Sequence, residues 1–561
     1  MGRKAKTPYM QINLGDRFLA LSKRGQEAIL NSRLGHFGDE TFPRIDPDVF
    51  MVLYSDHGRG PSYLQGLVGA YLVMNMLNLT ADELILRIDS DIAIQYALHT
   101  TSLEKQPFSR RNLFYFIARL EDYEKRTGID LIEECFKSIT SDFAHDMGLD
   151  KPGNSGRIKK RMDSMMIPTH AAKLTRPGII YAVNHDALLL YTSLNGEDNV
   201  VPSLFHYLDE SDRNAVIYHN KDDMEEKLTA LLAESRLILY LLQDEDWHDF
   251  QEYKNLVRCV KEQSNQSENG AFIPKPNKDI SGSSLQSPED PAATARTKAG
   301  KTHVGFVANV TETYDENGNS LITDADMQPN TYSDSDFMKD SIRSKKDPVN
   351  EEQVVTDGAY YSFDNAEAAA EKGILIVPTA LTGTETNQLC ADFTLSDDGE
   401  AIHSCPNGCK PFEQKYHENT KRIDAKFSRK DCGQCPYRAQ CPGKDQKKSV
   451  KVSISSQMVN RAELQEALGD EEHKQLARER NAVEAIPSIF RRKYGLNNIR
   501  TLMTQRVRSK LFAICLAYNG QKHQKFLNNH RGNCAFAYGI LGTSFCCMGE
   551  NVVIVTVFHR S

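Results

Sequence analysis

Apolar residues recur at two different spacings along this chain, and the switches between them outline its elements. From 51 to 145 the spacing is helical: the run Tyr63-Leu64-Gln65-Gly66-Leu67-Val68-Gly69-Ala70-Tyr71-Leu72 is an early example. Thr80 before Ala81-Asp82-Glu83-Leu84 has the form of a capped helix start, and helices are expected over Ser109–Leu120 and Gly128–Asp146. Gly153-Asn154-Ser155-Gly156 breaks the pattern, and Arg157–Ile167 then reads as a strand bearing one acid. Residues 203–263 return to helix, with Leu228, Leu231, Leu232, Leu237 and Leu241 in step. Residues 264–300, rich in Ser, Pro, Asn and Lys, read as an exposed connector. Strands follow at 303–310 and 320–323, joined by the turn signal Asp315–Asn319, and again at 353–358 and 373–378 around a short helix over 365–372. Residues 400–450 hold many charges and few large apolar side chains, which predicts a small insert without a core of its own. Residues 461–525 are helical. Strands followed by helices predict an α/β class.

Composition narrows this picture. A chain of 561 residues has room for several domains, and 40% hydrophobic with 26% charged residues is ordinary for a globular protein. The apolar run Val552–Val555 falls far short of the roughly 20 residues a membrane span needs. The basic start, Met1–Thr7, is followed by no apolar signal core. A net charge of −8 argues weakly against a nucleic-acid binder, although local patches matter more than the sum. Twelve cysteines are too few for a disulfide scaffold, so clustered ones read as metal ligands and scattered ones as core.

Three isolated acids could carry chemistry. Asp163 interrupts a basic and apolar strand, and Asp357 closes a Val-Val-Thr strand just before Gly358. A carboxylate in either place risks burial, which is costly unless it is paired or binds a metal, and its oxygens suit Mg²⁺ or Mn²⁺. The bland alternative is a strand-end Asp capping a turn. Glu484 follows Arg480 by four residues, so a helix would set them on one face with Arg491 returning to it; the bland alternative is a surface ion pair. Pro487 either kinks that helix or begins a new one.

Cys405, Cys409, Cys432, Cys435 and Cys441 lie close together in sequence, with Cys432-Gly433-Gln434-Cys435 a C-x₂-C pair. Four soft ligands on tight turns are what a tetrahedral zinc requires. The favoured set is Cys405, Cys432, Cys435 and Cys441, with Cys409 as the substitute; reduced, non-ligating thiols are the alternative. Basic residues flank the acids: Arg157, Lys159, Lys160 and Arg161 before Asp163, and Arg491, Arg492 and Lys493 after Glu484. Such runs are commonly solvated faces, but these stand where a phosphate backbone would have to lie.

Asp163-Ser164 on a strand, Val355-Thr356-Asp357-Gly358-Ala359-Tyr360 and Arg480-x₃-Glu484, in that order, resemble the DDE transposases of bacterial insertion sequences, in particular the insertion-sequence eleven-eighty-two group. Gly60-Pro61-Ser62 through Leu120, Ser287–Pro291 through Phe306, Cys405–Cys441 and Val483–Tyr494 are similar to further blocks of that family. The resemblance implies an RNase H-like mixed-sheet core, a helical amino-terminal domain, a helical insertion and a cysteine-rich zinc insert. The implied divisions are 1–150 for DNA-end binding, 151–200 and 301–399 for the core strands, 201–300 for the insertion and connector, 400–450 for the zinc insert, 451–530 for the helices with the catalytic Glu, and 531–561 for a tail of no recognised role.

It also implies that Asp163, Asp357 and Glu484 form a triad holding two Mg²⁺ or Mn²⁺ ions for DNA cleavage and strand transfer. Lys159, Lys160, Arg161, Arg480, Arg491, Arg492 and Lys493 would face double-stranded DNA, meaning terminal inverted repeats and target. The protein would act as a homodimer or larger oligomer, in the cytoplasm on the bacterial nucleoid. Departures from the family pattern are Ala477 in place of a Tyr, Arg491 in place of a Lys, and Met165 where a Thr is common. A catalytically inactive transposase-derived DNA-binding protein is the alternative, and a zinc-dependent regulator or redox protein is a third reading.

Overall fold

The computed structural model describes residues 15–55, 63–103, 105–198, 200–209, 223–298, 300–345, 351–500, 502 and 504–531, and the backbone of 546–548 and 551–553. Gly60-Pro61-Ser62 and most of the tail after Asn529 lie outside the described residues. Among the described residues no helix is long and apolar enough to cross a membrane. The chain forms two compact units, one of 1–151, 164–332 and 487–561, the other of 152–163 and 333–486.

The amino-terminal helices are α1 (Lys23–Leu30), α2 (Arg33–His36), α3 (Leu64–Met76), α4 (Ala81–Ser90), α5 (Ile92–Ala97), α6 (Arg110–Thr127) and α7 (Leu131–Met147). Helix α3 is apolar on every side and is buried accordingly, from Leu64 through Tyr71 to Met76. The expected capping box opens α4: the Thr80 hydroxyl accepts from the Glu83 N–H while the Glu83 carboxylate accepts from the Thr80 N–H. Ser109 caps α6, and Gly128 ends it with a φ of 74°, a left-handed position that suits glycine.

Strand β1 (Ile158–Pro168) divides between the units after Asp163. Beyond it, α8 (Arg176–Asn195), α9 (Met224–Leu241) and α10 (Gln251–Gln263) share a core of Tyr181, Leu188, Leu231, Leu232 and Leu256. The expected connector over 264–300 is not simply exposed. Leu285 and Ala293 are buried, and buried Asp290 accepts from the Thr169 hydroxyl at 2.5 Å. Its polar composition serves internal hydrogen bonds, which is why the composition misleads.

The first unit continues with β2 (Thr294–Lys298), β3 (Lys301–Tyr314) and β4 (Ser320–Pro329), an antiparallel meander that includes the expected hairpin. Strand β3 runs beside the second half of β1: Gly305 has a φ of 147°, and a Cβ there would lie 2.2 Å from the Ile167 carbonyl oxygen, so only glycine fits.

The second unit holds the first half of β1, then α11 (Asp334–Ser344), β5 (Glu352–Thr356), α12 (Phe363–Ala370) and β6 (Ile374–Pro378). Strands β1, β5 and β6 run parallel, with Arg161 level with Val355 and Val355 level with Val377. The antiparallel pairs of the first unit and the parallel pairs of the second give a mixed α/β pattern compatible with an RNase H-like core.

The 400–450 region corrects the expectation of a coreless insert. Strands β7 (Glu413–His417), β8 (Arg422–Ser428), β9 (Lys444–Asp445) and β10 (Ser449–Ile454) form an antiparallel sheet in the order β7-β8-β10-β9. Ile423, Ala425 and Phe427 on β8 and Val452 and Ile454 on β10 point into a core with Phe393 and Val459. The apolar residues occupy alternate positions, so half of each strand is polar and the average composition hides the core.

Helices α13 (Ser456–Ala467), α14 (Glu471–Arg480), α15 (Ala485–Tyr494) and α16 (Thr504–Arg531) follow the sheet. In the first unit α16 packs on α7, with the Phe136 and Phe512 rings stacked 5.7 Å apart. Asn519 on α16 donates to the Ile322 carbonyl and accepts from the Ile322 N–H, both at 2.8 Å, tying the meander to the helices.

Candidate active site

All three candidate acids fall in the second unit. The parallel pairing of β1 with β5 carries a constant offset, from Ile158 beside Glu352 to Arg161 beside Val355. Carried two residues further, that offset sets Asp163 level with Asp357, which lies one residue beyond the end of β5. An Asp357 carboxylate oxygen accepts from the N–H of Gly358.

Glu484 reaches this pair through Arg480. The Arg480 guanidinium donates to Glu484 Oε1 at 2.8 Å and to Asp163 Oδ1 at 3.3 Å. Its side chain is only 7% exposed, against 20% for Asp163 and 54% for Glu484. A buried cation thus links an acid on the strand to an acid 321 positions away in the sequence, and such charge-assisted bonds are strong in a partly dry setting.

One expectation needs correction. Glu484 does not sit within a helix: α14 ends at Arg480, residues 481–484 form turns, and α15 begins at Ala485. The turns close by Val483 N–H to Arg480 carbonyl at 2.9 Å and Glu484 N–H to Asn481 carbonyl at 3.2 Å. Pro487 in the first turn of α15 explains the break, because proline suits the start of a new helix and not the interior of a continuing one. Buried Val483 and Ile486 anchor the turn on either side of Glu484.

The basic residues before Asp163 are drawn inward. Lys160 is bound to Glu352 at 2.7 Å, and Lys345 binds the same carboxylate. Burial alone would raise Glu352, but the two lysines outweigh it and hold the carboxyl below its usual range. Burial pushes Lys160 down, and the charge of Lys345 adds to this. Arg161 is buried and donates to the Glu479 carbonyl at 2.5 Å, and Lys159 lies 3.7 Å from the Glu479 carboxylate. A phosphate could reach Lys160 or Arg161 only by displacing these partners. The link from Arg161 to the end of α14 is a support for the site that the sequence reading missed, since a basic run resembles a solvated face. Arg491, Arg492 and Lys493, on the part of α15 in the first unit, are exposed. There Arg491 lies 3.4 Å from the Met166 carbonyl.

In the insert, Cys405, Cys432, Cys435 and Cys441 line one small cavity of about 30 Å³, closed on other sides by Phe427, Val450 and Val452. Cys409 is not among its lining residues but lies beside Cys405, with its Sγ 4.0 Å from the Asn407 carbonyl. Tight turns place the thiols: the Cys405 N–H donates to the Cys409 carbonyl at 2.9 Å and the Cys435 N–H to the Cys432 carbonyl at 3.3 Å. Burial, followed by the neighbouring Cys441, Cys405 and Cys435, pushes the Cys432 thiol up to about 11. His417 is committed to Asp424 at 3.1 Å.

The donors suit the implied metals in kind: carboxylate oxygens for Mg²⁺ and thiols for Zn²⁺. Among the described residues, however, no three or more His, Cys, Asp or Glu side chains stand gathered around one point as a metal site. At the acids, the Arg480 guanidinium lies where two of the three carboxylates converge.

Comparison with known families adds one finding. Residues 404–523 match the family model described as a transposase DDE domain. That match supports a DDE transposase and includes the cysteines from Cys405, Arg480 and Glu484, while Asp163 and Asp357 lie outside it. No curated protein and no solved structure matches the chain.

Proposed function

We propose that this protein is a DDE-type transposase that cleaves DNA at the ends of an insertion sequence of the eleven-eighty-two group and transfers the freed strand to target DNA. The observation that supports the reading is the parallel pairing of β1 with β5 up to Arg161 beside Val355, two residues short of Asp163 and Asp357, together with the Arg480 guanidinium bonded to both Glu484 and Asp163. Asp163, Asp357 and Glu484 would hold two Mg²⁺ or Mn²⁺ ions. Bound ions of this kind activate an attacking oxygen and stabilise a leaving 3′ oxygen. The chain's own part is positioning: β1 carries Asp163, the neighbouring β5 ends one residue before Asp357, and Arg480 orients Glu484 toward Asp163. Exposed Arg491, Arg492 and Lys493 offer charge to the DNA backbone. The working form is a homodimer or larger oligomer on paired repeat ends, in the bacterial cytoplasm.

Zinc in the insert is part of the same reading, with Cys405, Cys432, Cys435 and Cys441 as ligands; their shared cavity supports it. About one zinc per chain is expected by elemental analysis, lost in the Cys432→Ser, Cys435→Ser double variant, and a zinc-free wild-type protein would refute it.

The inactive DNA-binding reading draws on one observation, the guanidinium that already pairs with both Asp163 and Glu484. The deciding experiment incubates full-length protein with a duplex carrying the inverted repeats nearest its gene and with Mg²⁺ or Mn²⁺. Nicks at the repeat ends that vanish in Asp163→Asn, Asp357→Asn and Glu484→Gln, with DNA binding retained, support the transposase. Tight binding without nicks in the wild type moves the assignment to the inactive reading.

A further inference from the structure

Helix α6 has two unlike sides. Leu113, Phe116 and Ile117 are buried, whereas Arg110, Arg111, Asn112, Phe114, Tyr115 and Arg119 are exposed. The spacing from 111 to 115 to 119 keeps these side chains on one outward face. No acid occurs between Ser109 and Leu120. Of the acids in the later half, Glu121 pairs with Arg506 and Glu124 with Arg508 at 2.9 Å, while Asp122, which continues the outward face beyond Arg119, is exposed and pairs with Arg126 at 2.8 Å.

The arginines of this face are steadied largely by aromatic rings. Arg110 lies 5.2 Å from the centre of the Phe114 ring, Arg111 5.4 Å from that of Tyr115 and Arg119 4.6 Å from that of Tyr54. Arg111 also donates to the Tyr115 hydroxyl at 3.2 Å. A ring orients a guanidinium without cancelling its charge, as a carboxylate would. The Arg110–Asp82 pair, at 2.9 Å, is well exposed on both sides and therefore weak. Large apolar groups share the face: Phe114 is 45% and Tyr115 51% exposed, and Leu86 on α4 is also exposed.

Cationic forks, a side-chain amide and exposed rings together match the surface of duplex DNA. Phosphates take the charge, base edges take bidentate Arg and Asn, and thymine methyls take apolar side chains. Recognition helices present these groups over their first turns, where Arg110, Arg111 and Asn112 stand. We propose that the outward face of α6 enters the major groove of the DNA end, with Arg111 and Asn112 reading bases and Arg119 contacting phosphate. This rests on the DNA-acting reading above and names the element that selects the sequence.

The test uses full-length protein and fluorescence anisotropy, with the repeat-carrying duplex, a scrambled duplex of equal length, and vesicles containing phosphatidylserine. Arg111→Ala and Asn112→Ala are each expected to weaken binding to the repeat by about tenfold to a hundredfold, with a much smaller loss on the scrambled duplex. Arg119→Ala should weaken both duplexes alike and flatten the salt dependence. Arg111→Lys keeps the charge, so it should keep the salt dependence and still lose discrimination. Repeat binding unchanged in the Arg111→Ala, Asn112→Ala double variant overturns the assignment, as does a preference of the wild type for vesicles over DNA. The transposase reading fails separately: a wild type that binds the repeat through α6 and never nicks it defeats that reading and leaves this one standing.

Discussion

Arginine plays opposite parts in the two units. In the second, Arg480 is nearly sealed from water and bridges two carboxylates. In the first, the arginines of α6 lie in water against aromatic rings, with their charge displayed. Environment decides the difference. A buried cation must be paired because leaving it alone costs several kcal/mol, whereas an exposed one loses little by staying unneutralised. Buried charge therefore reports how a site is held together, and displayed charge reports what the surface awaits.

The contrast can be broken by measurement. Arg480→Ala removes the buried cation from between Asp163 and Glu484 and should destabilise the protein by about 2–3 kcal/mol in urea unfolding, the scale of lost charge-assisted bonds, since the acids left behind reach water. A loss below about 1 kcal/mol would place Arg480 with the surface arginines.

The next effect sharpens the contrast with a buried base. His36 on α2 is pushed down to about 4, first by burial and then by the charge of nearby His523. Burial also lowers His523, whose ring lies 3.1 Å from Asp146 and faces Glu40 and Arg44. The unfolded imidazole of His36 takes its proton near 6.5, above its folded value, so the unfolded state binds more protons between the two values. Stability is therefore full above about pH 6.5 and falls as pH drops toward about 4, by about 2–3 kcal/mol for His36. Denaturation midpoints at pH 7, 6 and 5 would check this, and His36→Gln should flatten the slope.

Thr80→Ala removes one half of the α4 capping box and should cost about 1 kcal/mol in the same assay. The smallest change is expected from Arg111→Ala, within about 0.5 kcal/mol of wild type, because its guanidinium is exposed. A large stability loss there would mean that α6 holds the fold together and does not display its charge.

The sequence made the elements legible where local rules act alone. The Thr80 capping box, the hairpin turn at Asp315–Asn319 and the strand before Asp357 appear as expected, because each is encoded within a few residues. What could not be read depends on distant partners. Lys160 and Arg161 look like surface charges until Glu352, Lys345 and the Glu479 carbonyl are placed beside them. The sheet core beneath Phe427 was hidden by alternation with charged residues. Among the candidate site residues, the link from Arg480 to Glu484 was visible at four-residue spacing, whereas its second bond to Asp163 spans 317 positions. The turn that carries Glu484 was signalled only by Pro487, which fitted either a kink or a new helix.

The constant offset between β1 and β5 makes the alignment of the two aspartates a matter of counting. Side chains alternate sides along a strand, so adding or deleting a single residue in either segment would turn one carboxylate to the opposite face while leaving its chemistry intact. Point substitutions at neighbouring positions leave the count unchanged. The strands therefore behave like a two-digit combination, tolerant of which residues surround the acids and intolerant of a change in length.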